Sequence, residues 1–295
     1  MSASASLGTL ITPQRAKALL DSSVSARVRF VDSSWYLHKN RNAKEEFHKE
    51  RICNAKFFDI DKISDTSSSL PHMLPTPSAF ENAMTDLGIT QNDIVIVYGG
   101  HNCFSPARCW WMFKYFGHVD VHILNGGING WKNHGFPVNT ETEGSEKMEE
   151  GAGKYISTPR TTLVATADEI LQNLNTATEI IDARPSKRFT AQEPEPRSGL
   201  RSGHIPGSIN VPFTNLLLED DFSQYRELSS IRKAFTEAGV DLQRNTPIIT
   251  TCGSGISAGV LLFGLHLLGK PLTDIAVYDG SWSEWASRKE LPIEV

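Results

Sequence analysis

Short apolar runs rich in β-branched residues recur along the chain, separated by longer stretches with helical spacing. "DIVIVYG" (Asp93–Gly99) and "PIITTCG" (Pro247–Gly253) are too short for helices and too evenly apolar for half-exposed strands, so they predict strands buried on both faces. "TPSAFENAMTDLG" (Thr76–Gly88) predicts a helix, with threonine as N-cap, proline in the first turn and glycine at the end. "TADEILQNL" (Thr166–Leu174) starts the same way and has acids in its first turn. "SAGVLLFGLHLLG" (Ser257–Gly269) is apolar nearly all round and predicts a buried helix closed by Gly269. Strands alternating with helices predict an α/β protein with mostly parallel sheets and helices on both faces.

The pattern occurs twice, in the same order. "RFVDSSW" (Arg29–Trp35) matches "EIIDARP" (Glu179–Pro185), and "RICNAKFFDID" (Arg51–Asp61) matches "GHIPGSINVPF" (Gly203–Phe213). The stretch from Ala79 to Gly100 matches Ile231 to Gly253, and "VHILNGGINGW" (Val121–Trp131) matches "IAVYDGSWSEW" (Ile275–Trp285). This predicts two domains of one fold, over 1–140 and 161–295. Residues 141–160 fall in an acidic, glycine-containing stretch with linker composition.

The chain of 295 residues is 39% hydrophobic and 21% charged, as in globular proteins. A net charge of -5 gives no electrostatic reason for direct nucleic-acid binding. No apolar run reaches the ~18–20 residues a membrane span needs. The N-terminus has no basic region followed by an apolar one, so a secretory leader is not expected. It contains serines and no acids but no arginine before Arg15, which leaves a cytoplasmic location as the expectation and a mitochondrial address allowed. The four cysteines, Cys53, Cys103, Cys109 and Cys252, form no CxxC pair and lack zinc-site spacing. No GxGxxG follows a strand and there is no Walker loop, so no cofactor or metal is expected.

Cys252 stands apart because it directly follows a predicted buried strand, the side on which such sheets bind ligands. Gly253 and Gly255 are expected to adopt positive φ and turn their N–H groups inward. With roughly +0.5 charge at the following helix start, that makes an anion nest. The nest favours a thiolate and would equally hold a persulfide anion. Ser254 and Ser257 add hydroxyl donors. On charge pattern alone, Arg188 and Arg197 in "RPSKRFTAQEPEPRSG" read as solvated side chains paired with Glu193 and Glu195, or as a bidentate carboxylate clamp.

"CGSGISA" (Cys252–Ala258), the tandem halves, "GHIPGSINVPF" and "YDGSWSEW" resemble the rhodanese superfamily over essentially the whole chain. The loop is most similar to the mercaptopyruvate sulfurtransferase branch, whose usual pattern is CGSGVTA; Ile256 and Ser257 are conservative departures. The resemblance implies tandem rhodanese-like domains, with the first catalytically silent because Gly99 stands at the cysteine position. It implies sulfur transfer from 3-mercaptopyruvate to Cys252 as a covalent persulfide. Substrate would meet Arg188, Arg197 and the loop Gly253, Gly255, Ile256 and Ser257. It also implies a Ser–His–Asp relay of Ser254, His72 and Asp61, with Arg184 structural. Cys53 and Cys109 read as packing residues and Cys103 as a bystander rather than an accessory thiol. The family commonly carries a tyrosine where Phe104 precedes "SPAR", so one hydroxyl is lost here; Arg108 of that segment reads as structural.

The acceptors implied are a small thiol, thioredoxin or another protein, with cyanide in the laboratory. Some eukaryotic relatives, of which a fungal-type member is one form, pass sulfur to tRNA thiolation through protein carriers. Thiosulfate transfer is an alternative, but that branch carries basic residues after the cysteine (CRKGVTA), where this loop has neutral Gly253 and Ser254. A CxxxxxR phosphatase or arsenate reductase needs an arginine where Ala258 stands. A non-catalytic docking module would not need the intact cysteine, glycines and arginines.

Overall fold

The computed structural model describes residues 8–37, 40–140, 153–244 and 246–295. Each half builds a five-stranded, all-parallel sheet. In the first the order is Lys56–Phe57, Val28–Asp32, Ile94–Tyr98, Val121–Leu124, Leu10–Ile11. In the second it is Ile209–Asn210, Glu179–Asp182, Ile248–Thr251, Ile275–Tyr278, Val164–Ala165. Strand for strand these are the same sheet, as the repeat predicts. A small antiparallel pair, Glu50–Ile52 with Val138–Thr140, belongs to the first half only.

The predicted helix ends are present. Thr76 accepts a hydrogen bond from Ala79 N–H at the start of Pro77–Asp86, and Thr166 forms a reciprocal capping box with Glu169. The apolar helix runs Ala258–Leu267; Gly269 follows at φ +95°, and Lys270 N–H closes back on Leu265 O at 3.0 Å. Helix Pro106–Tyr115 is its counterpart. The two pack together, with Trp110 edge-on to Phe263 at 4.8 Å, so both domains share one core. A Cβ on Gly259 would lie 3.0 Å from the Ala107 carbonyl carbon and Arg108 nitrogen, so only glycine lets these helices approach so closely.

The predicted linker is only partly a linker. Residues 141–152 lie outside the described residues. The rest is docked on the first domain: Tyr155 is buried against His118 and Phe80, and Thr158 and Arg160 donate backbone hydrogen bonds to Phe116 and Tyr115. One buried aromatic outweighed the polar composition around it.

Asp32 and Asp182 end equivalent strands, but their partners differ. Asp182 pairs with Arg184, whereas Asp32 accepts from Ser34 N–H (2.9 Å) and Oγ (2.6 Å). Burial pushes the Asp32 carboxyl up to about 6, against the Ser34 hydrogen bonds. The folded state therefore binds this proton more tightly than the unfolded chain, where the value is 3.8. Its stabilising effect is full below pH ~4 and is lost as pH rises through ~6. About two units correspond to roughly 3 kcal/mol. Asp32→Asn keeps an acceptor for Ser34 without titrating. Its stability relative to the parent should rise by an amount of that order between pH 4 and pH 7, read from urea melts; a constant difference would refute the account.

Among the described residues no helix is long and apolar enough to cross a membrane, and no cluster of three or more His, Cys, Asp or Glu could hold a metal.

Candidate active site

Cys252 follows the central strand Ile248–Thr251, flanked in the sheet by Glu179–Asp182 and Ile275–Tyr278. The turn is tied down through its carbonyls. Trp282 N–H donates to Cys252 O (2.9 Å), and the Ser283 N–H and hydroxyl both donate to Gly253 O at 3.0 and 2.6 Å. The amide of Cys252 itself reaches Ser281 Oγ at 3.4 Å. The five N–H groups from Gly253 to Ser257 donate to no acceptor among the described residues. Buried polar groups are rarely left so, and successive free amides at a helix start suit an anion.

The two glycines differ in role, which corrects the sequence reading. Gly255 has φ +80°, where an L-residue is strained, and a Cβ there would lie 2.8 Å from Arg108 Nη1. Gly253 is not in a positive-φ conformation. It is small because a Cβ would stand 3.1 Å from Arg188 Nη2 and 3.9 Å from Arg197 Nη1. Ile256 reaches the site through its amide only, since its side chain is buried in the core. The Ser257 hydroxyl makes no cap to the helix behind it.

Both arginines converge on the loop. Arg188 is paired with Glu195, as the charge pattern allows, but is largely buried rather than solvated, and Arg197 is not Glu-paired among the described residues. Glu193 pairs with Lys187 instead. The buried Glu195 carboxylate is shared by Arg184 (2.8 Å) and Arg188, while Arg184 also grips Asp182 and Gly203 O. Arg197, half-buried, donates to Ser254 Oγ at 3.2 Å and has no carboxylate within ion-pair distance among the described residues. Burial lowers its affinity for the proton while the nearby Cys252 sulfur raises it. A partly desolvated guanidinium beside a sulfur, with no carboxylate at ion-pair distance among the described residues, suits an anionic ligand.

The first domain contributes Asp61 and His72. Asp61 Oδ1 lies 3.0 Å from His72 Nδ1, and Trp35 Nε1 donates to the same carboxylate oxygen at 3.2 Å. Both His72 ring nitrogens are buried; Nδ1 has the Asp61 contact, and Nε2 has no partner among the described residues. His72 is the leading cause that holds the Asp61 carboxyl below the usual range; Trp35 and Arg197 act the same way. Ser254 Oγ accepts from Arg197 and keeps its own O–H to donate, and among the described residues no hydrogen bond joins it to His72. Sequence reasoning missed Trp35, whose ring also meets His72 edge-on at 4.9 Å. Its place three residues beyond the strand ending at Asp32 was legible, but its target was not.

The repeat places Gly99 opposite Cys252, and one hydrogen bond decides it. Ile128 N–H donates to Gly99 O at 3.0 Å, as Trp282 N–H does to Cys252 O, and the preceding residues Gly127 and Ser281 share φ +51° and +50°. Against this geometry, the rhodanese-like domain model matches the chain twice, over residues 12–134 and 166–288. The chain belongs to the rhodanese family. A 3-mercaptopyruvate sulfurtransferase of Escherichia coli (strain K12) is 42% identical over 256 residues, 87% of each chain. The mitochondrial thiosulfate/3-mercaptopyruvate sulfurtransferase 1 of Arabidopsis thaliana is 41% identical over 285 residues, 90% of this chain and 74% of that one. The crystal structure of Tum1 from Saccharomyces cerevisiae superposes with a TM-score of 0.85 at 33% identity, covering 95% of both. In this rhodanese pair the other buried thiols are poorly suited to reaction: burial pushes Cys103 up and Cys109 well up.

Proposed function

We propose that the chain moves the sulfur of 3-mercaptopyruvate onto Cys252 and passes it to a thiol acceptor. The observation that carries this is the conjunction, among the described residues, of Cys252, five amides without acceptors and an Arg197 guanidinium with no carboxylate at ion-pair distance. Arg197 and Arg188 hold the carboxylate and ketone of the substrate. The Cys252 thiolate attacks the substrate sulfur and an S–S bond forms. The C–S bond breaks, its electron pair leaving with pyruvate as the enolate. His72, steadied by Asp61, supplies the proton that turns enolate into pyruvate. The amides from Gly253 to Ser257 hold the persulfide anion. An acceptor nucleophile then takes the outer sulfur and the electron pair of the S–S bond returns to Cys252.

No resident cofactor takes part in this scheme. The first domain, with Gly99 at the cysteine position, supplies His72 and Asp61 rather than a second nucleophile. Thioredoxin, a small thiol or a protein carrier serving tRNA thiolation is the acceptor; location in the cytoplasm, with a mitochondrial form, is part of the same reading, supported by a mitochondrial relative. Steady-state kinetics with both donors test it. A kcat/KM for mercaptopyruvate well above that for thiosulfate is expected, and the reverse order would assign the chain to thiosulfate.

Donor choice rests on the neutral loop. Gly253→Arg with Ser254→Lys adds positive charge for a dianion. It also removes the Ser254 acceptor from Arg197 and forces Arg188 aside. Turnover of thiosulfate relative to mercaptopyruvate should rise at least tenfold on the ~1.4 kcal/mol scale of one such interaction. An unchanged ratio would rule out electrostatic selection.

A further inference from the structure

The two halves meet through equivalent joints, and one of them is charged. In each half the first residue after the fourth strand of the repeat accepts a hydrogen bond from the chain three residues before a helix of the other half. Asn125 Oδ1 takes Tyr225 N–H at 2.9 Å; Asp279 Oδ2 takes Leu74 N–H at 2.7 Å. Behind Asp279 stands Arg108, fully buried, the third residue of its helix. The third residue of the equivalent helix is Val260. The silent half thus has a neutral joint of Asn125 and Val260, and the half bearing Cys252 has an ion pair, Arg108 Nη1 to Asp279 Oδ1 at 2.5 Å.

A buried ion pair is weak evidence for stability, because desolvation opposes its attraction, and the neutral joint shows that this interface closes without one. What the charged version adds is connection. Arg108 Nη2 donates to the carbonyl of His72, and Nη1 reaches the Gly255 carbonyl at 3.4 Å. One guanidinium therefore ties the backbone of the histidine in the first domain to the turn that follows Cys252 in the second. The Asp279 carboxylate fixes the guanidinium and holds Leu74, two residues beyond His72. His72 itself has φ +62°, a conformation its surroundings must impose.

We propose that Arg108 and Asp279 are positioning residues that set His72 against the Cys252 loop across the domain interface. This rests on the assignment of His72 as proton donor in the proposed reaction. Arg108→Val with Asp279→Asn rebuilds the catalytic-side joint in the form of the silent one, so the chain is expected to fold. Misplacing His72 should lower kcat roughly a hundredfold. In a His72→Ala background the same pair of substitutions should cause no further loss, since residues acting through one group are not additive.

The inference is overturned if the double variant keeps the parental kcat while His72→Ala is impaired. It is also overturned if the two losses multiply, which is the signature of separate structural damage. A His72→Ala chain with parental kcat overturns the assignment of His72, and this inference with it. If the double variant fails to fold, Arg108→Lys, which keeps the charge but cannot span the same acceptors, goes through the same cycle under the same criteria.

Discussion

Replacing Cys252 by serine should reduce sulfur transfer to background, a loss of at least about 10⁴-fold in kcat. The other described features of the site would remain. The turn is held by Trp282 and Ser283 through backbone carbonyls that serine also carries, and Arg197 bonds Ser254, not Cys252. Serine at 252 therefore leaves donor binding nearly intact while removing the sulfur that must join the substrate sulfur. No other thiol can substitute. Cys103 and Cys109 are buried with suppressed ionisation, and Cys53 lies beside Pro137 in the first domain. Pyruvate release and sulfur transfer measured together check this; appreciable transfer by Cys252→Ser would place the nucleophile elsewhere.

Arg197→Ala should be the more damaging of the two arginine changes, lowering kcat/KM for mercaptopyruvate roughly a hundredfold. Removing a charge-assisted hydrogen bond costs about 1.5–3 kcal/mol, near the upper end for a planar fork facing a carboxylate. Arg188→Ala should cost less substrate attraction. Glu195 already neutralises Arg188, whereas Arg197 has no such partner among the described residues. Removing Arg188 also strands part of the Glu195 carboxylate, so that variant should lose stability as well. Arg197→Lys keeps the charge but not the fork and should recover only part of the loss. Initial rates over a range of mercaptopyruvate concentrations distinguish these outcomes, and equal losses at the two positions would contradict the division of roles.

Local patterns carried the fold. The apolar run Ile248–Thr251, the small residues after Cys252 and the apolar helix behind them need no distant contact to be recognised, and the repeat placed Gly99 opposite Cys252 before any hydrogen bond did. The residues gathered around Cys252 could be named from the sequence, but the contacts between them could not. Gly253 looked like a conformational glycine because sequence cannot reveal that Arg188, 65 positions earlier by numbering, closes over it. That Arg197, 57 residues before Ser254, donates to its hydroxyl has no trace in spacing either. Asp279 and Arg108 lie 171 residues apart, so their pairing has no trace in spacing. The acidic stretch before Tyr155 hid a docked segment, since one stacked ring weighs little in a composition average.

The most direct measurement is the intact mass of the whole chain after incubation with mercaptopyruvate and removal of excess donor. Gain of a single sulfur atom, mapped to Cys252, matched by one equivalent of pyruvate and discharged by cyanide or a thiol, is the predicted result. An unmodified chain, or sulfur found on another residue, would contradict it.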